Sequence, residues 1–318
     1  MRSALMYVHM LYFRRFVLLG LGILLIFSST VLVCDNTAYA NSANTKTWAD
    51  IPILVPGQGL IAKRSGQVPY QKWRIPSWGN LQRYVWISGS HDFRRYDRVQ
   101  LVFYFHGTHS KDYYNDFKSE LEEVAAKNPR RPFLFVAFVD TPYNKSSRGV
   151  KRWKGMVPKS GERPDRFLRA INQVYRAFCV TFPHISKRKS RIVLAGFSGG
   201  GRVLDSVGNW LAKSPSNNLY ARIFQSKLSK MLYFDCWFNP TIVETVPTLL
   251  ARNPTMKVVG SVHLSRPKKI AKLLAGKLKL RNLKNNKEMI GLGGRMSILR
   301  EKSHWNAMIA CLSDALDK

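Results

Sequence analysis

A chain of 318 residues that is 45% apolar and 12% aromatic carries enough hydrophobic surface for one substantial core, which excludes an intrinsically disordered protein. Its formal net charge is +32 at neutral pH. A field of that sign draws polyanions such as lipopolysaccharide, acidic lipid or anionic cell-wall polymer, the alternative being a basic surface that is simply well solvated; no nucleic-acid motif accompanies the charge, so no specific nucleic acid is expected.

Residues 1–40 read as a targeting segment. Arg14 and Arg15 precede an uncharged, mostly apolar run from Phe16 to Val33, and Ala38-Tyr39-Ala40 has the small-x-small form of a signal peptidase site. The expectation is an export signal cut after Ala40, which leaves a periplasmic or secreted body; the alternative is a membrane anchor through residues 16–33. With Cys34 removed, Cys179, Cys236 and Cys311 remain in an oxidising compartment, where one disulfide and one thiol is the simplest arrangement. No cysteine pair has metal-ligand spacing and the seven histidines form no H-E-x-x-H cluster, so no metal or other cofactor is expected.

After a proline- and glycine-rich entry, the body alternates apolar and amphipathic runs. Residues 81–88 and 98–105 are strand candidates, followed by a helix over 116–128, a strand over 131–139, a helix over 165–182 and a strand over 190–197. The alternation continues with a helix over 201–213, a strand over 230–238, a helix over 241–253 interrupted by Pro247, and a strand over 256–264. A helix over 267–278, a strand over 295–301 and a helix over 304–316 complete it. Near-continuous apolar strands alternating with helices predict one α/β domain over 41–318, a mostly parallel sheet with helices on both faces.

Between the strand ending at Phe197 and the helix starting at Gly201 stands Gly196-Phe197-Ser198-Gly199-Gly200, which fits G-x-S-x-G in its required strand-turn-helix setting. Such a turn lifts the serine hydroxyl above the sheet, and the helix start aims N–H groups at the same point. A phosphate-binding reading is weaker, because the turn has Arg202 but neither the G-K-[ST] ending of a P-loop nor a G-x-G-x-x-G. Upstream, His106-Gly107-Thr108 ends the 98–105 strand and offers a second backbone donor, Gly107 or Thr108, beside that of Gly199. A serine needs a base, and of His106, His109, His263 and His304 the last is preferred, since it lies between the final strand and a helix anchored by Trp305, Met308, Ile309, Leu312 and Leu316.

G-x-S-x-G, the upstream His-Gly and a late histidine together resemble the α/β-hydrolase superfamily of serine hydrolases, over roughly residues 81–318, and are similar to secreted polyhydroxyalkanoate depolymerases and feruloyl esterases. The resemblance implies the α/β-hydrolase fold and ester hydrolysis, on a small-molecule or polymeric substrate, by Ser198, His304 and an acid. Of the carboxylates between serine and histidine, Asp205 is expected to face solvent or its neighbours on its helix, Glu244 lies in a predicted helix, Glu288 in a basic stretch and Glu301 close to His304. Asp235 ends a strand and resembles the minority of α/β-hydrolases whose acid follows the sixth strand. Cys236 follows that acid and Cys311 lies on the helix behind His304, so a bridge between them would tie acid loop to histidine helix, the alternative being a Cys236 that faces the core as a small hydrophobe. A peptidase or amidase on the same scaffold and an inactive basic envelope-binding protein are the competing readings. Oligomeric state and any lid are not legible.

Overall fold

Apolar runs without a polar face can be buried only where both faces of their strand are covered. The computed structural model describes residues 70–75, 84–107, 113–139, 163–185, 190–234, 236, 240–263, 287–290, 296–301 and 312. All of them fall in the second of two units, Met1–Thr45 and Lys46–Lys318. The expected export signal over 1–40 therefore lies outside the described residues, as do the predicted helix over 267–278 and all but Leu312 of that over 304–316. Among the described residues no helix is long and apolar enough to cross a membrane.

In chain order the elements are β1 (Tyr70–Trp73), β2 (Tyr84–Gly89), β3 (Gln100–Phe105), α1 (Tyr113–Lys127), β4 (Phe133–Val139), α2 (Asp165–Thr181) and β5 (Arg191–Phe197). A 3₁₀ turn at Ser198–Gly200 leads into α3 (Gly201–Lys213), then α4 (Leu219–Lys227), β6 (Leu228–Phe234), α5 (Pro240–Arg252), β7 (Lys257–His263), β8 (Lys287–Ile290) and β9 (Met296–Glu301). The strands form one nine-stranded sheet in the order β1-β2-β4-β3-β5-β6-β7-β9-β8. From β4 to β9 every neighbouring pair is parallel, while β2 runs against β1 and β4, and β8 against β9.

The pleat sends alternate side chains to opposite faces, and each face has its own core. On one, Leu101, Phe103, Phe105, Leu194 and Tyr233 pack with helix residues that include Phe167, Ile171, Val203, Val207 and Leu249. On the other, Val102, Tyr104, Val193, Ala195 and Leu232 meet Leu121 and Val124 of α1 and also Leu312. The apolar stripe of α2 (Phe167, Leu168, Ile171, Val174, Phe178) recurs at helical spacing and is wholly buried. Pro247 does not end α5, because Val246, Leu249 and Leu250 on either side of it are buried in the core.

Three elements were not anticipated. β1 and β8 are edge strands of four residues, too short to show a period. In α4 the apolar Leu219 and Ile223 are exposed, so its pattern does not announce a buried face; what starts the helix is the Asn218 side chain, which accepts from Ala221 N at 3.0 Å.

Candidate functional site

The chain reverses its progression across the sheet at β3, which has β4 on one side and β5 on the other. Loops that leave the carboxyl ends of such neighbours diverge, and the crevice between them is where an open α/β sheet binds ligands. Here those ends are level: Phe105 of β3 pairs with Gly196 of β5. His106-Gly107 and Phe197-Ser198 therefore emerge side by side.

Ser198 has φ 47°, alone in positive φ among the described non-glycine residues. A residue with a Cβ pays about 1–2 kcal/mol for that conformation and keeps it only where its surroundings leave no alternative. The surroundings are glycines at close quarters. A Cβ on Gly200 would run into the Phe105 carbonyl oxygen and come within 2.9 Å of His106 O, so the turn lies directly on the end of β3. A Cβ on Gly196 would stand 2.9 Å from the Gly200 carbonyl, so the two ends of the motif nearly touch. Gly196 and Gly200 are thus packing requirements of the turn, not a break in the helix.

Gly107 belongs to the same cluster, since a Cβ there would lie 2.8 Å from the Phe197 ring and 3.2 Å from Ser198 Cβ. His106 is buried, and its Nδ1 stands 2.5 Å from Gly107 O. A carbonyl only accepts, so Nδ1 carries the proton and the ring fixes the loop next to Ser198. That is a structural task which the search for a base did not foresee for His106. Gly199 occupies the middle of the 3₁₀ turn that opens into α3, where backbone N–H groups and the helix dipole favour negative charge. The structure therefore brings Ser198, Gly199 and Gly107 together. Thr108, Asp235 and His304 lie outside the described residues, as do His109 and Cys311. His263 and Glu301 close β7 and β9 and pair with each other across the sheet.

Two polar side chains lie buried behind the turn. Asp205 does not face solvent: it is 6% exposed, on the inner side of α3, one helical turn beyond Gly201. Burial pushes its carboxyl up to about 8, against the opposing pull of the Tyr233 hydroxyl and the Arg202 guanidinium. Tyr233, fully buried, is held well above its ordinary range first by burial and then by the carboxyl. Asp205 Oδ1 is buried without a hydrogen-bond partner among the described residues. The helix periodicity carries this signal, because Leu204, Asp205 and Gly208 share the inward face. Cys236, in turn, is buried, and its Sγ donates to Gly196 O at 2.9 Å; Cys311, the partner expected for a bridge, lies outside the described residues. Among the described residues no group of three or more metal-ligating side chains is gathered.

No family model and no curated protein matches the chain. Solved structures do. A ferulic acid esterase matches with 8% identity over 79% of this chain and 96% of its own, with a TM-score of 0.43. The enterobactin esterase FES from Shigella flexneri matches with 15% identity over 83% of this chain and 62% of its own, at TM-score 0.47. LpqC, a poly(3-hydroxybutyrate) depolymerase from Bordetella parapertussis, matches with 15% identity over 62% of this chain and 66% of its own, at TM-score 0.35. With parallel strands in the order β4-β3-β5-β6-β7, an antiparallel β2 at their flank and a strained serine at the turn after β5, the chain has the α/β-hydrolase fold that its motifs resemble.

Proposed function

We propose that the protein is an exported serine hydrolase that cleaves carboxylic esters through an acyl-enzyme. Ser198 Oγ attacks the acyl carbon while His304 takes its proton, and Asp235 orients the imidazole and stabilises its charged form. The oxygen that becomes negative is met by the N–H of Gly199 and by that of Gly107 or Thr108. Collapse expels the alkoxide, which leaves with the proton from His304, and a water molecule repeats the sequence to free the acid and restore Ser198. The observation that carries the reading is Ser198 at φ 47° between glycines that admit no Cβ, beside Gly107. Strain of this kind at a half-buried serine serves presentation of the hydroxyl, since a packing serine gains nothing by it.

The test is covalent. A fluorophosphonate should label purified protein on the Ser198 peptide and leave Ser198→Ala unlabelled; no adduct, or one that persists in the variant, refutes a serine nucleophile. Turnover of short-chain p-nitrophenyl esters in preference to the matching anilides separates the esterase from the amidase. Export is supported by the Phe16–Val33 run and Ala38-Tyr39-Ala40, and it predicts native protein starting near Asn41, whereas an intact Met1 favours the anchor. The net charge of +32 supports an acidic-lipid or lipopolysaccharide partner, whose binding should weaken steeply between low and physiological salt.

A further inference from the structure

The strained turn at Ser198 runs from Gly196, the last buried residue of β5, to Gly201, the first residue of α3. One side chain touches both ends of it. Cys236, the second residue after β6, is 2% exposed, and its thiol donates to the Gly196 carbonyl at 2.9 Å and, less closely, to Phe234 O at 3.4 Å. On its other side it lies against Gly201, where a Cβ would come within 2.7 Å of both Cys236 Cβ and Sγ.

A peptide segment whose two ends are pinned has few ways to close. The carbonyl of Gly196 sets the plane of the peptide that enters Phe197, and the position of Gly201 sets where the chain must arrive. If either end were loose, Ser198 could relax to negative φ and recover the strain energy. Gly196 and Gly200 leave room for the tight path, but an absent Cβ restrains nothing by itself; a group that holds the path shut has to come from elsewhere.

We propose that Cys236 is a positioning residue: its thiol, tied to the Gly196 carbonyl and wedged against Gly201, braces the turn and keeps Ser198 at positive φ, with its hydroxyl directed at the crevice. The proposal rests on the reading of Ser198 as the nucleophile. It assigns Cys236 neither contact with substrate nor redox chemistry, and it explains why a thiol suits the position. The long C–S bond reaches the carbonyl while filling the gap that Gly201 leaves.

The experiment compares Cys236→Ala and Cys236→Ser with wild type, each checked for folding by its thermal midpoint. Cys236→Ala should lower kcat and the rate of Ser198 phosphonylation by on the order of tenfold, with KM within about twofold, because misdirection of the hydroxyl affects the chemical step and not ground-state binding. Cys236→Ser retains a donor on a shorter bond and should recover most of that loss. Wild-type rates in the alanine variant overturn the brace, and so does a serine variant as slow as alanine. Failure of wild type to take the fluorophosphonate strikes instead at the nucleophile reading. In that case a crystal structure of Cys236→Ala still decides the brace: Ser198 relaxed to negative φ upholds it, and φ near the 47° of the wild type overturns it.

Discussion

Asp205→Asn should stabilise this protein, and by an amount that depends on pH. The carboxyl has an ordinary value of 3.8 and is pushed up to about 8 by burial in α3, so between those limits the folded chain holds a proton there that the unfolded chain has released. Where the native state binds the extra proton, stability falls as pH rises, with a slope of about 1.4 kcal/mol per unit for one group. The contribution is full below the unfolded value of 3.8 and is progressively lost until the folded carboxyl itself ionises near 8. At pH 7 the penalty is roughly 4 kcal/mol, and at pH 5 it is between about 1 and 2 kcal/mol. Asparagine has nearly the same shape and no proton to hold. Its stability advantage over wild type should therefore grow by about 2–3 kcal/mol from pH 5 to pH 7, less a constant cost for burying its amide. Denaturant unfolding of both proteins across pH 4.5 to 9 measures the difference. A wild-type-minus-variant gap that stays flat with pH, or that widens toward acid, refutes a protonated Asp205 on the inner side of α3.

Asp235→Asn, if Asp235 is the acid, should leave the thermal midpoint unchanged and lower kcat by on the order of 10⁴, as expected when the base loses its correct tautomer; near-normal turnover removes it from the triad. Gly200→Ala places a methyl group into the Phe105 carbonyl and should cost about 3 kcal/mol or more in denaturant unfolding, together with fluorophosphonate labelling; a stable, fully labelled variant contradicts the close approach. Asn253 donates through Nδ2 to Gln225 O at 2.6 Å and Leu228 O at 2.8 Å, so Asn253→Ala should cost roughly 2–3 kcal/mol while the labelling rate of the folded protein is unaffected. A loss of labelling at unchanged stability would reverse that assignment.

How much of this was legible depended on whether a residue's task is local. The strands β3, β5 and β6 announce themselves because a run such as Leu101–Phe105, buried on both faces, has no polar alternation to confuse it, and G-x-S-x-G names a turn in five successive residues. What the sequence hid are pairings between segments far apart in the chain. The thiol of Cys236 finds Gly196 across 40 positions, and Gly200 lies on a carbonyl of β3, the sheet neighbour of the strand it follows. Residue type alone does not find such partners: a cysteine suits a disulfide or a core equally, and an aspartate on a helix suits a surface or a neighbouring side chain. The run Gly199-Gly200-Gly201 has the same origin. Gly199 follows the serine in the turn, whereas Gly200 is required by β3 and Gly201 by Cys236, so two of the three glycines answer to neighbours that the linear motif does not contain. A turn held from outside in this way can keep its serine strained while the flanking strand and helix remain unstrained. Substitutions at Gly200, Gly201 or Cys236 are accordingly expected to act on Ser198 without touching it.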